Sequence, residues 1–253
     1  MVLLAIGDIC GAPGIEIVRR KLGALRRQWG VDLCVINGEN AHVRGIAPEE
    51  AQALFAAGAD VVTLGNHAFD DKRIFDTLEE RSDLIRPWNM PDALPGRGWT
   101  VVDCRGGRVC VGCLQGRASM DFHAADPFAA ADRMLREVEA DYYALDFHAE
   151  TTSEKLALAN YLDGRFSAIW GTHTHIPTAD NRVLPGGTGY ITDLGMTGPF
   201  DSVIGVKKEQ SIQFFRTMNA PRFQSAENDV RLQGALFTLE HGLCRSVERV
   251  EVV

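Results

Sequence analysis

The chain has too few cysteines for a disulfide framework, no apolar run long enough for a bilayer, and no surplus of basic residues. Six cysteines among 253 residues cannot staple a chain of this length, so free thiols in a reducing, cytoplasmic setting are expected. No segment approaches the roughly 20 consecutive apolar residues of a membrane span, so the protein should be soluble, with no membrane partner. The opening Met1-Val2-Leu3-Leu4-Ala5-Ile6 has no basic flank and meets Asp8 too soon for a secretory leader, and it reads as a first strand. A net charge of −8 repels polyanions, so long nucleic acid is not an expected partner. Internal repeats, low-complexity tracts and linkers are also missing. With 45% hydrophobic and 24% charged residues, the composition is that of an ordinary globular chain, and a single domain over residues 1–253 is expected.

What is present is an alternation of short apolar runs with amphipathic stretches. Runs rich in Val, Ile and Leu at 2–6, 31–36, 61–64, 109–114, 142–147, 168–170 and 190–191 read as buried strands. Helical periodicity lies between several of them, at 14–29, 48–57, 72–78, 127–138 and 153–162, with Pro48 and Pro127 suited to a first turn. This alternation predicts an α/β fold with helices on the faces of the sheet. Two β-like runs at 230–239 and 243–252 flank Glu240-His241-Gly242 and predict an antiparallel hairpin, which makes the sheet mixed. Residues 218–229 have no periodicity, and a loop of that length is expected to border a functional site. Cys110 and Cys113 have CxxC spacing, but in an extended segment residues three apart face opposite ways and cannot share a metal.

Polar clusters stand directly behind the apolar runs: Gly7-Asp8, Asn37-Gly38-Glu39-Asn40, Gly65-Asn66-His67, Asp146-Phe147-His148 and Gly171-Thr172-His173-Thr174-His175. Taken singly, each has a plain structural explanation. An Asp there caps helices, Asn-Gly makes turns, and a lone strand-end His is commonly structural. Together they supply carboxylate, carboxamide and imidazole at the carboxyl ends of several strands, the ligand set of a hard or borderline divalent cation. In an extended segment His173 and His175, one residue apart, would project to the same side and engage neighbouring ions.

In this order the clusters resemble those of the calcineurin-like metallophosphoesterases, and within them the YmdB-like branch, bacterial phosphodiesterases associated with 2′,3′-cyclic nucleotides. The resemblance implies mixed β-sheet layers flanked by helices, an α/β/β/α sandwich, with the metal site at the carboxyl ends of the strands. It also implies two divalent metal ions, iron or manganese ahead of zinc, and attack by a bridging hydroxide. One ion would take Asp8, Glu39, Asn40 and His175, the other Glu39, Asn66, His148 and His173. Where the wider superfamily has Asp-x-His, this chain has Asp8-Ile9-Cys10, and Glu39 replaces the usual bridging Asp. Both departures fit the YmdB-like pattern, with Asn40 replacing the lost imidazole; a Cys10 thiolate is the alternative ligand. Two dications against Asp8, Glu39 and hydroxide leave the centre about one unit positive, which draws in a phosphodiester monoanion.

His67 is assigned as general acid, protonating the leaving oxygen, with Asp70 or Asp71 to orient it. His42, Arg44, Arg117 and His123 are weaker candidates for contacts to phosphate or base. The expected substrate is a small nucleotide phosphodiester. Phosphomonoester or protein-phosphatase chemistry, and a nucleotide sensor with little turnover, are the alternatives. A dimer or tetramer is also compatible with the sequence.

Overall fold

The computed structural model describes residues 1–42, 44–121 and 123–253. In chain order the first half comprises β1 (Val2–Ile6), β2 (Asp8–Ile9), α1 (Gly11–Trp29), β3 (Leu33–Asn37), α2 (Pro48–Ala57), β4 (Val61–Thr63), α3 (Ile74–Glu80), β5 (Leu84–Ile85), β6 (Trp99–Cys104) and β7 (Gly107–Gln115). The second half adds α4 (Pro127–Glu137), β8 (Tyr142–His148), α5 (Thr152–Tyr161), β9 (Ala168–Thr172), β10 (Arg182–Val183), β11 (Gly189–Ile191), β12 (Met196–Pro199), α6 (Lys208–Thr217), β13 (Val230–Glu240) and β14 (Leu243–Val252).

Two mixed sheets form. The first runs β2-β12-β13-β1-β3-β4-β5, with β14 paired to β13. The second runs β10-β11-β9-β8-β7-β6. The expected hairpin is present, since β13 and β14 pair antiparallel, and β1, β3 and β4 run parallel as strand-helix-strand connections require.

Period-two alternation along the strands divides the apolar residues among three layers. Leu4 and Ile6 of β1 face α1 and α2 and pack with Ile17, Val18, Leu22, Ala51 and Leu54. Leu3 and Ala5 point the other way, into a layer between the sheets with Val35, Val111, Cys113, Trp170 and Phe237. On the far side of the second sheet, Cys110, Leu145, Phe147 and Ile169 pack under Ala131 and Met134 of α4 and Leu158 of α5. This is the α/β/β/α sandwich expected from the motifs. Cys110 and Cys113 fall in different layers, as the strand period demands, and burial pushes both thiols up, Cys110 to about 12. All six cysteines are free. Among the described residues no helix is long and apolar enough to cross a membrane.

Beyond the two-residue strands β2, β5 and β10, three elements have no readable signal. Strand β6 sits at the sheet edge, paired with β7 and half exposed, so it lacks a continuous apolar run. Strand β12 is Met-Thr-Gly-Pro, wedged between β2 and β13. Helix α6 buries only Ser211, while Ile212 and Phe215 stay exposed, so no apolar stripe faces the core.

Candidate metal centre

The first sheet delivers Asp8 on β2, Glu39 and Asn40 just past β3, and Asn66 just past β4. The second delivers His148 as the last residue of β8, and His173 and His175 just past β9. These ends meet at one place. His148 Nε2 lies 2.9 Å from Glu39 Oε1, 3.0 Å from Asn66 Oδ1 and 3.1 Å from His173 Nδ1. Asn40 Nδ2 is 3.3 Å from Glu39 Oε1 and 3.1 Å from His175 Nε2. Asp8 Oδ2 accepts the His173 backbone N–H at 3.2 Å, while Oδ1 lies 3.9 Å from His175 Nε2.

A cation fits this arrangement better than protons do. One proton on His148 Nε2 cannot serve Glu39, Asn66 and His173 at once, whereas a cation attracts all of their lone pairs. Asp8 Oδ1 is buried with no hydrogen-bond partner among the described residues, which is costly for a carboxylate unless something positive sits beside it. The space is also kept open by the backbone. A Cβ on Gly65 would fall 2.1 Å from Glu39 Oε2 and 2.4 Å from His148 Nε2, so only glycine lets β4 end this close. Asn40 turns its nitrogen inward, but rotation of the terminal carboxamide torsion offers Oδ1 from the same position.

The electrostatics are those of a crowded, buried carboxylate–imidazole cluster. Burial pushes the Asp8 carboxyl up to about 6, against the pull of His175 and His148. Burial would raise Glu39 as well, yet His148 and His67 hold it at about 2. His173 is brought down to about 3 by burial and by repulsion from His148. Burial works against charge on His148 and His175 too, but Glu39 overrides it at His148, and Cys10, Asp8 and the Ile204 carbonyl override it at His175, so both are raised.

The rings are oriented from behind. Thr172 Oγ1 donates to the buried Asp146 at 2.7 Å and therefore accepts from His148 Nδ1–H at 2.8 Å, which turns Nε2 toward the cluster. Asp146 also accepts from Asn37 and Thr63, tying the two sheets together under the site. His175 Nδ1–H donates to the Ile204 carbonyl at 3.0 Å, again leaving Nε2 inward. Cys10 Sγ sits 3.6 Å from that outward Nδ1. It is thus on the wrong side of the ring to replace a ligand, and the thiolate alternative does not match the geometry. Replacing Thr172 with Val should weaken metal binding about 10- to 100-fold, with Ser retaining it, as read by competition against a chelator.

One expectation about this segment needs correction. His173 and His175 do not share a face of an extended strand, because β9 ends at Thr172 and both adopt positive φ, 96° and 64°. Such backbone costs about 1–3 kcal/mol per residue and persists only where surroundings enforce it. Here Thr174 between them donates from its N–H and its hydroxyl to Asp193 Oδ2, at 3.2 and 2.8 Å. Lys155 Nζ neutralises Asp193 at 2.7 Å, both groups being almost wholly buried. Sequence reasoning missed this clamp. Asp193 carries the same signal as the other motifs, a polar residue just behind the apolar β11, but Lys155 on α5 looks like any solvated helix lysine.

His67 stands at the rim beside Asn66. Its Nδ1 pairs with Asp70 at 2.9 Å, while Asp71 is taken by Arg73, so Asp70 is the orienting carboxylate of the two considered. Of the weaker candidates, His42 and Arg44 line a groove next to the cluster. Arg117 gives its backbone N–H to Glu154, and His123 lines a separate cavity with Trp88 and Arg133; neither joins the cluster.

A family model described as YmdB-like protein matches residues 4–250. The chain belongs to that family. It is 43% identical over 251 residues to a 2′,3′-cyclic-nucleotide 2′-phosphodiesterase of Bacillus subtilis (strain 168), covering 98% of this chain and 95% of that one. A crystal structure of a Thermus thermophilus protein superimposes with a TM-score of 0.94 at 40% identity, covering 100% of this chain and 99% of that one. That of a Mycoplasma pneumoniae phosphatase also gives 0.94, at 32% identity, covering 100% of this chain and 93% of the other. YmdB-like membership and the sandwich fold thus agree with what the motifs implied.

Proposed function

We propose that this chain is a metal-dependent phosphodiesterase that hydrolyses small cyclic nucleotides of the 2′,3′-cyclic AMP type, with His67 as general acid. The observation that carries the reading is the convergence of Asp8, Glu39, Asn40, Asn66, His148, His173 and His175 on one buried, acceptor-rich point. The name of the Bacillus subtilis relative supports the substrate class. Asp8, Glu39, Asn40 and His175 would hold one divalent ion, and Glu39, Asn66, His148 and His173 the other, iron or manganese ahead of zinc. When bound, such ions lower the pKa of water and neutralise charge on the phosphoryl oxygens. The chain works as one domain in the cytoplasm, where free cysteines persist.

The protein's own groups do the remaining work. Water oxygen forms the new P–O bond and loses a proton to solvent, one ring P–O bond breaks, and His67 Nε2 gives its proton to the departing ribose oxygen, leaving a monoester; solvent then returns a proton to His67. Asp70 holds the other ring nitrogen, while Nε2 lies 3.3 Å from Asn66 Nδ2, a contact that opens when Nε2 carries the proton to the leaving group. Only two of the seven ligands are anionic, and this spares the positive excess that attracts a phosphodiester.

Protons compete with cations here. Metal-free His148 and His175 keep their protons above the usual histidine range, and Asp8 takes one up near 6. Metal affinity should therefore fall already as pH drops through the raised histidine range, and further through about 6 as Asp8 is protonated, with loading releasing the imidazole protons. Calorimetry in buffers of different ionisation enthalpy reads that release; a binding enthalpy independent of buffer would contradict it.

The functional test is an activity screen of chelator-stripped protein reloaded with manganese or iron, across 2′,3′-cyclic AMP, 3′,5′-cyclic AMP, bis(p-nitrophenyl) phosphate and p-nitrophenyl phosphate. The expected order places 2′,3′-cyclic AMP first. Turnover of the monoester alone would overturn the diesterase reading.

A further inference from the structure

We infer that the groove leading away from the cluster seats the nucleobase of the substrate, with Phe223 as its stacking surface; this rests on the phosphodiesterase reading above. The groove encloses about 1260 Å³, above the roughly 300–1,000 Å³ of ordinary small-ligand sites, so a nucleoside fits with room to exchange. It lies beside the metal centre. A small cavity lined by Cys10, Asn40, His175 and Ile204 shares Gly11 and Ser225 with the groove. A phosphate held at the cluster would have this groove as a neighbouring place for its nucleoside.

The wall on that path is built, although its sequence has no periodicity. Phe223 meets Phe214 of α6 edge to face, with centroids 5.9 Å apart and planes at 80°. The next residue is pinned on both sides: Gln224 N–H donates to Gln210 Oε1 at 2.8 Å, and the Gln224 carbonyl accepts from Lys207 N–H at 3.1 Å. Ala226 N–H then donates to the Gly205 carbonyl at 2.9 Å. Phe223 is the one benzenoid ring among the described residues lining the groove, and a fixed ring accepts any base because every base has a π face.

The charge pattern agrees. Of the groove's three acids, Glu16 pairs with Arg19, Glu50 is engaged by His42 and the Ala47 amide, and Glu227 forms no ion pair among the described residues. Arg44 and Arg222 also line the groove and form no ion pair among the described residues. In a chain of net charge −8, two guanidiniums free of ion pairs against a single such acid, Glu227, beside an aromatic ring mark a place for an electron-rich, hydrogen-bond-accepting ligand such as a nucleobase.

The test compares two five-membered cyclic phosphates, 2′,3′-cyclic AMP and the base-free ethylene phosphate, both followed by ³¹P NMR. In Phe223→Ala, the ratio of kcat/KM for the nucleotide to that for ethylene phosphate should fall about tenfold, mainly through KM, and Phe223→Tyr should restore it. An unchanged ratio, or an equal loss on both substrates, overturns the groove assignment. Failure of the wild-type, metal-loaded protein to hydrolyse either compound would instead overturn the phosphodiesterase reading on which it rests.

Discussion

Glu39→Gln is expected to lower kcat/KM about a thousandfold and to reduce bound metal. The loss corresponds to about 4 kcal/mol of transition-state stabilisation. Glu39 Oε1 touches His148 at 2.9 Å and Asn40 at 3.3 Å, members of the two different proposed ligand sets. Its other oxygen accepts the His67 backbone N–H at 3.1 Å. Gln has nearly the same volume, so the strand end should keep its shape, which circular dichroism and thermal melting would verify. What changes is the single charge between the sites, and an amide nitrogen now faces groups that need a lone pair. Elemental analysis alongside kinetics decides the matter. A Glu39→Gln protein that keeps two metal equivalents and a tenth of its activity would rule out a shared ligand.

His67→Ala should separate the two halves of the account, because it removes the proposed proton donor and none of the proposed ligands. A positioned acid is worth about 10²- to 10⁴-fold, so 2′,3′-cyclic AMP hydrolysis should fall within that range while metal content stays unchanged. The defect should shrink with bis(p-nitrophenyl) phosphate, whose weakly basic leaving group departs without a proton. Asp70→Asn should cost less, about tenfold, and shift the alkaline limb of the pH profile, since Asp70 acts through the imidazole ring of the acid rather than on the substrate. Loss of metal from His67→Ala, or an equal defect on both substrates, would show that His67 has been given the wrong role.

How much of this was legible in the sequence depends on which force fixed each residue. The layered sandwich could be read because strand and helix periods sort apolar residues by face, and β1 does so cleanly: Leu3 and Ala5 go one way, Leu4 and Ile6 the other. The convergence of Asp8, Glu39, Asn40, Asn66, His148, His173 and His175 could be read because each follows an apolar run whose burial points its polar end at the same edge. The route by which His173 and His175 arrive could not. Their positive φ is imposed by Asp193, 19 residues on from Thr174, and by Lys155, 38 residues before Asp193, and such long-range enforcement leaves no local pattern. Helix α6 escaped for the opposite reason. It buries only Ser211, so no stripe marks it, yet its Phe214 holds the ring proposed to stack on the substrate.

The most direct measurement is anomalous diffraction at the manganese edge from crystals grown without chelator and soaked in manganese. Two peaks are predicted, one among Asp8, Glu39, Asn40 and His175, the other among Glu39, Asn66, His148 and His173, with Glu39 reaching both. A map with no peak at this cluster, or with its ion bound elsewhere, would contradict the account.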